Sequence, residues 1–435
     1  MGAARLIPPD STLIDLLSFP GFPGLVDDNV SLDFPLDHPL PRVTALEPPR
    51  EWEALRERCP VARVRLPSGD EASLVTRYHD ARQVLSDPRF GRTLSAPGAA
   101  RLSATESGGA FSGEMSGPIP QSGPGHERWR RLLNRWFTAR RMAALRPGIE
   151  EMASRLIDEM IGRGQPADLK ESLAFPLPVW VICDMLGVPD SDREKFAHWS
   201  DAMLSLTRYT GAEMKEAGAE FAAYMARHVD AKRAEPADDL LSELIVASNA
   251  EGQGLSEAEL VATGRALLVA GHETTANMIG KMVAMLLADR RRWERLLADR
   301  SLVRTAVEEA LRFDANLGFG MVRYIDDDIE VGDTPVRRGT TVVCDLAAAN
   351  RDEAAFDGAG EMDLARSPNP HLSFGAGPHS CLGQALARTE LQAVLDVLLR
   401  LLPSLELAVP ATELRRVEGL LVTGLREVPV TWKES

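Results

Sequence analysis

The feature that most limits how this chain can fold is a helical pattern over residues 256–289. Ser256-Glu-Ala-Glu259 opens it as a capping box, in which serine and glutamate each satisfy a backbone donor that the helix end would leave free. At ~1.5 Å per residue the segment reaches roughly 50 Å, enough to cross a whole domain. In its middle stands Ala270-Gly-His-Glu273-Thr274-Thr275. Glycine and two threonines weaken helix propensity and offer hydroxyls to backbone carbonyls, so a polar groove is expected halfway along an apolar helix. His272-Glu273 is not half of a zinc-protease motif, because Ala276 stands where the second histidine is required.

A second constraint is Phe374-Gly-Ala-Gly-Pro-His379-Ser-Cys381-Leu-Gly383, one cysteine set among glycines ahead of another apolar helical pattern at 384–402. Gly375, Gly377 and Gly383 permit backbone angles and close approaches that let amides point at the sulfur. The N-terminus of the following helix favours thiolate over thiol. A thiolate held in this way reads as an axial ligand for haem iron, against the plainer alternative of an inert buried cysteine beside a tight turn. Cys59, Cys183 and Cys344 show no paired spacing, so neither a disulfide framework nor a zinc site is expected.

The loop resembles the haem-binding loop of the cytochrome P450 family, F-x-x-G-x-H-x-C-x-G, matched at Phe374, Gly377, His379, Cys381 and Gly383. The helix centre is similar to the family's [AG]-G-x-[ED]-T-[TS], matched in full from Ala270 to Thr275. The resemblance implies heme b (iron protoporphyrin IX) with Cys381 as the metal ligand and Phe374, Gly375, Gly383 and Ala270 close to the cofactor. It implies proton relay to dioxygen through Glu273 and Thr274. Propionate anchors would be His379, His126, Arg130 and Arg323. His126 and Arg130 are four apart and share a helix face, although the Gly123-Pro-Gly125 lead departs from the family's D-P-P. Glu309-Ala-Leu-Arg312 corresponds to a buried E-x-x-R pair joined by a second arginine, here Arg366, and Asn350-Arg-Asp352 precedes the usual meander. The stretch 313–320 lacks the proline that commonly follows, so an unusual pocket wall is expected there.

The fold class so implied is mainly α with small β-sheets (α+β), a single-domain cytochrome P450 fold whose long central helix crosses the haem. Residues 1–50, with nine prolines, read as an extended N-terminal arm, and 51–435 as the haem-thiolate domain. Residues 51–59 read as a helix, and 62–67 and 72–76 as a strand pair about Ser68-Gly-Asp. Seven glycines in 97–125 mark a long loop that, by resemblance, covers the distal haem face and moves on binding.

With 44% hydrophobic and 26% charged residues the chain can build a large core, and a net charge of −15 argues against nucleic acid as a partner. Against that charge, Arg128, Arg130, Arg131, Arg135, Arg140 and Arg141 form a basic cluster. An acidic ferredoxin with its reductase is expected to dock near Arg128, Arg131 and Arg135, passing on electrons from NAD(P)H. The N-terminus carries no signal-peptide core and no apolar run of ~20 residues, so a cytoplasmic monomer without membrane attachment is expected.

The expected activity is a haem-thiolate monooxygenase that hydroxylates or epoxidises a bulky, mostly apolar small molecule in natural-product biosynthesis. Pocket positions would be the 97–125 loop, 267–270, 317–322 and the turn Val422-Thr-Gly-Leu425. Oxidative C-C or C-N coupling of an aromatic peptide-derived substrate such as a cyclodipeptide is the alternative, and a haem-based gas sensor or carrier is the reading from another class.

Overall fold

The computed structural model describes residues 32–92, 94, 96–102, 117–250 and 254–433. Helices dominate: α1 (Glu51–Arg58), α2 (Tyr78–Ser86), α3 (Gly123–Asn134), α4 (Ala139–Ala144), α5 (Arg146–Arg163), α6 (Pro176–Met185), α7 (Arg193–Met203), α8 (Gly211–Ala234), α9 (Leu240–Ala250), α10 (Glu257–Leu287), α11 (Arg290–Ala298), α12 (Val303–Phe313), α13 (Leu346–Ala349) and α14 (Gln384–Leu401). The strands, likewise in chain order, are β1 (Leu36–Asp37), β2 (Val61–Arg65), β3 (Glu71–Val75), β4 (Phe90–Gly91), β5 (Ala167–Asp168), β6 (Met321–Ile325), β7 (Ile329–Val331), β8 (Thr334–Val336), β9 (Thr340–Cys344), β10 (Glu406–Leu407) and β11 (Pro429–Thr431). They make a six-stranded sheet β1-β2-β3-β9-β6-β4, a three-stranded sheet β10-β11-β5 and the hairpin β7-β8. The expected strand pair is β2-β3, antiparallel, with Gly69 at φ +87° in its turn.

The long helix forms as its sequence predicts. Ser256 Oγ accepts from the Glu259 amide at 3.2 Å, and Glu259 Oε2 accepts from the Ser256 amide at 2.7 Å. The helix then runs unbroken for 31 residues. From Thr275 to Leu287 every residue is buried, which is how an all-round apolar helix behaves in the centre of a large core. Helix α6 lies close against it at Gly271, where a Cβ would come within 3.0 Å of Ile182.

Beside this helix sits a buried charged brace. Glu309 and Arg312, both fully buried on α12, pair through two bonds of 2.8 and 2.7 Å, and Arg366 Nε reaches both Glu309 oxygens at 3.2 Å. The remaining Arg312 donors are spent on the carbonyls of Asn350, Ala359 and Glu361. Asn350 passes the constraint on, since its Oδ1 accepts from the Leu372 amide at 2.7 Å and its Nδ2 donates to Ser373 Oγ at 2.8 Å. The irregular segment that leads into the cysteine loop is thus tied to one helix by satisfied hydrogen bonds.

The division at residue 50 is not seen from residue 32 onward. Leu36 and Asp37 pair with Val64 and Arg65, Leu40 and Ala45 are buried, and His38 Nε2 bonds the Phe319 carbonyl oxygen at 2.7 Å. The prolines there prevent a helix but not packing, because extended backbone can add to a sheet edge. Residues 1–31 of the expected arm, and 93, 95 and 103–116 in and ahead of the glycine-rich loop, lie outside the described residues.

Breaking a buried pair strands a charge in the core, so Arg312→Ala is expected to cost about 3–5 kcal/mol of folding stability. Chemical denaturation of the variant followed by circular dichroism will show the midpoint shift.

Candidate functional site

The cysteine loop is shaped by two glycines. Gly375 and Gly377 both stand at φ +69°, and a Cβ on Gly377 would fall 2.7 Å from the Leu85 carbonyl oxygen and the Ser86 Cα of α2. That approach lets the loop turn back so that the Cys381 amide donates to the Phe374 carbonyl at 2.7 Å. Gly383 caps α14, and its amide hydrogen-bonds Cys381. Burial pushes the Cys381 thiol up, while the Gly383 amide, Arg130 and Arg388 pull it down. A cation at the sulfur is what would make the thiolate its stable form. The loop also rests on a charged shelf. Arg388 lies 4.4 Å over the Phe374 ring and grips Glu308 with bonds of 2.7 and 3.0 Å, and His371 meets the same carboxylate at 3.1 Å.

Cys381 opens onto a cavity of about 350 Å³ between this loop and α10. Leu267, Ala270, Gly271, Thr274 and Thr275 form its helix wall, with Leu317, Met321 and Asn316 beside them. Thr274 Oγ1 donates to the Ala270 carbonyl at 2.8 Å, the side-chain bond its sequence invites, and the helix continues through it. Asn316 Nδ2 donates to the Thr274 carbonyl, so the segment where proline was expected reaches the centre of the long helix. Glu273 is not on the cavity wall: its carboxylate accepts from Asn277 Nδ2 at 3.0 Å and lies 3.6 Å from His272 Nε2. The turn Val422-Thr-Gly-Leu425 does not line the cavity either, and packs behind the wall with the Thr423 amide donating to the Asn316 carbonyl at 2.8 Å. A larger surface crevice, about 870 Å³ between residues 43–57 and 351–360, contains none of the candidate residues.

One edge of the cavity is cationic. Arg92, His126, Arg130 and His379 line it, and among the described residues no carboxylate does. The His126 and His379 rings sit 4.3 Å apart. Burial and then Arg92 lower His379 to about 3, and burial and Arg130 lower His126. Arg323 is buried beneath the wall, with one guanidinium nitrogen bonded to the Val322 carbonyl and another without a partner. His379 Nδ1 is likewise unpartnered. A sulfur ligand facing an apolar helix, with unsatisfied cationic donors along one edge, suits haem: the two propionates would satisfy those donors.

Sequence reasoning missed Arg92, because nothing near it in the chain marks it. It also missed the cluster that fixes the 313–320 segment. Buried Lys281 donates to the Asp314 and Ala315 carbonyls at 2.8 and 3.3 Å, while Asp314 takes Arg42 at 3.0 Å and Arg416. Burial raises the Asp314 carboxyl, but Arg416, Arg42 and Lys281 outweigh it and hold the group well below the usual range. In the basic cluster of α3, Arg128 turns toward α10, with bonds to Glu259 at 2.5 Å and to the Gly254 carbonyl at 2.9 Å, while Arg131 and Arg135 are exposed.

This fold and cavity define a haem-binding enzyme scaffold, and comparison with known proteins supplies the family. The family model for cytochrome P450 matches residues 191–418. The chain is 43% identical to mycinamicin IV hydroxylase/epoxidase of Micromonospora griseorubida, over 92% of this chain and 99% of that one. It is 42% identical to nocardicin C N-oxygenase of Nocardia uniformis subsp. tsuyamanensis, over 91% and 98%. Among solved structures, that of the putative thioether synthase SgvP, involved in tailoring griseoviridin, superposes with a TM-score of 0.85 at 39% identity, over 91% of this chain and 99% of that one. The chain belongs to the cytochrome P450 family. It is a monooxygenase that uses heme b, acts on a small molecule and draws electrons from NAD(P)H through redox partners. The gas-sensor or carrier reading is set aside. Among the described residues no helix is long and apolar enough to cross a membrane.

Glu308 gives the cysteine loop a pH dependence. Burial raises its pKa, but His371 and Arg388 bring it from an ordinary 4.5 down to about 2. A depressed carboxylate contributes stability that is fully present above the ordinary value and lost as pH falls through the folded one. The protein is therefore expected to lose stability between about pH 4.5 and 2, and Glu308→Gln to flatten that part of the unfolding profile.

Proposed function

We propose that this P450 hydroxylates or epoxidises a bulky, mostly apolar small molecule in natural-product biosynthesis, with Cys381 as iron ligand. The observation that carries the assignment is one cavity on which Cys381, Thr274 and the cationic edge all lie. When bound, the haem supplies reductive activation of dioxygen and transfer of one oxygen atom to the substrate. Each of the chain's own residues has a narrower task. Arg130, His126 and His379, with Arg323 beneath them, hold the propionate edge. Phe374 shields the sulfur and carries the Arg388 guanidinium, Gly375 and Gly383 shape the ligand loop, and Ala270 keeps the helix wall low over the cavity centre.

Thr274 presents a hydroxyl at the cavity, anchored on the Ala270 carbonyl. Glu273 stands one residue earlier in a polar nook with His272 and Asn277. A proton passes from this nook to the cavity when the Glu273 carboxyl turns away from Asn277 or is bridged by water. Leu267, Leu317 and Met321 give the substrate space an apolar wall, which supports a mostly apolar substrate, as do relatives named for mycinamicin IV and pentalenic acid. The likeness to a putative thioether synthase favours one second reading, oxidative bond formation without oxygen insertion, such as coupling of a cyclodipeptide.

An acidic ferredoxin is assigned to the surface bearing Arg131 and Arg135, with Arg128 left out because Glu259 takes it. The protein is placed in the cytoplasm, where NAD(P)H is supplied, as a monomer.

The testing experiment is the absorbance spectrum of reduced protein under carbon monoxide, followed by ferric titration with a panel of natural products. A strongly red-shifted Soret band is expected, and a blue shift with a substrate; absence of the first overturns Cys381 as ligand. Thr274→Ala is expected to lower product formed per NAD(P)H consumed by about tenfold or more. Arg131→Glu with Arg135→Glu is expected to weaken ferredoxin binding and to flatten its salt dependence, read from turnover against ferredoxin concentration at two ionic strengths.

A further inference from the structure

The cationic edge holds one arginine more than sequence motifs provide. Arg92 follows β4, whose antiparallel register pairs Phe90 with Ile325 and Gly91 with Tyr324. The next step of that register sets Arg92 opposite Arg323. Like charges directly opposite on one sheet face repel, and buried or half-buried guanidiniums without counter-charges are costly. Yet among the described residues no carboxylate lines this cavity, and Arg92 makes no hydrogen bond and no ion pair with them. Of the two arginines it is Arg92 that stands on the cavity wall, with Arg130, His126 and His379, while Arg323 is absent from it and nearly all buried. Burial, Arg323 and Arg130 together lower Arg92 to about 10.

We propose that Arg92 is an anion-binding residue of this cavity: its guanidinium takes a propionate carboxylate of the haem, while Arg323 contributes charge from beneath the wall. The proposal rests on the haem reading of the site and changes which strand makes the contact. Arg92 and Arg130 on the wall and Arg323 beneath it place three guanidiniums about the propionate edge. A further guanidinium at that edge favours the reduced iron centre over the oxidised one.

The test uses purified holoprotein of the wild type, Arg92→Gln and Arg92→Lys. Three quantities are read: haem transfer to excess apomyoglobin, the propionate bending band in resonance Raman, and the ferric/ferrous midpoint potential. Arg92→Gln is expected to release haem about tenfold to a hundredfold faster, the loss of one charged hydrogen bond. Its propionate band should shift and its midpoint potential should fall. Arg92→Lys, which keeps the charge but loses the fork, should hold the potential and release haem at an intermediate rate, and it keeps the test open if the glutamine variant fails to fold. Release at the wild-type rate in Arg92→Gln overturns the proposal. Faster release with an unchanged band and potential also overturns it, leaving Arg92 as a structural brace. A wild type without the red-shifted thiolate band would overturn the haem reading itself, and this is visible before any substitution is made.

Discussion

The ion pair of Glu309 with Arg312, closed by Arg366, is the constraint on which the cysteine loop depends. Arg312 holds the Asn350 carbonyl, the Asn350 side chain holds Leu372 and Ser373, and Ser373 Oγ donates back to the Leu311 carbonyl at 2.7 Å. Phe374 comes next and accepts the Cys381 amide. Each step is a satisfied bond between buried or half-buried groups, so the sulfur is positioned by a chain of contacts that begins on a helix and ends at Cys381. Such a pair adds little net stability over apolar packing, but half of it is costly to keep, and that asymmetry makes the brace all-or-none.

The cavity joins three environments that differ in polarity. The sulfur sits in a loop of amides, the middle of α10 supplies small and apolar groups, and the cationic edge supplies donors without acids among the described residues. Dioxygen chemistry needs this separation, because a charged cofactor edge and an oxidant centre make opposite demands on solvent. The Lys281, Asp314, Arg42 and Arg416 cluster adds a second rigid support, fixing the segment that carries Asn316 to the centre of α10. An N-terminal residue, Arg42, and a C-terminal one, Arg416, thus converge on the wall beside the substrate space.

Motifs were legible where function and local structure coincide. The capping box of α10, the hydroxyl of Thr274 on the Ala270 carbonyl, and the left-handed glycines before Cys381 are all written within a few residues of the groups they serve. Glu309, Arg312 and Arg366 were legible through resemblance, although their spacing alone reads as a surface pair. Arg92, Asn316 and the Asp314 cluster were not legible, since each acts across the fold on partners between 33 and 272 residues away in sequence or through strand register.

The sequence by itself determined the family, the glycine-shaped cysteine loop and the long helix, because a left-handed turn and a capped apolar helix can be built only from particular residues in a particular order. Only the tertiary structure decided that residues 32–50 belong to the body of the fold, that Glu273 turns from the cavity while Thr274 faces it, and that Arg92 rather than Arg323 stands on the wall. Those outcomes depend on which side of an element meets solvent, cavity or neighbour. Packing between distant segments sets that orientation, and no local run of residues encodes it.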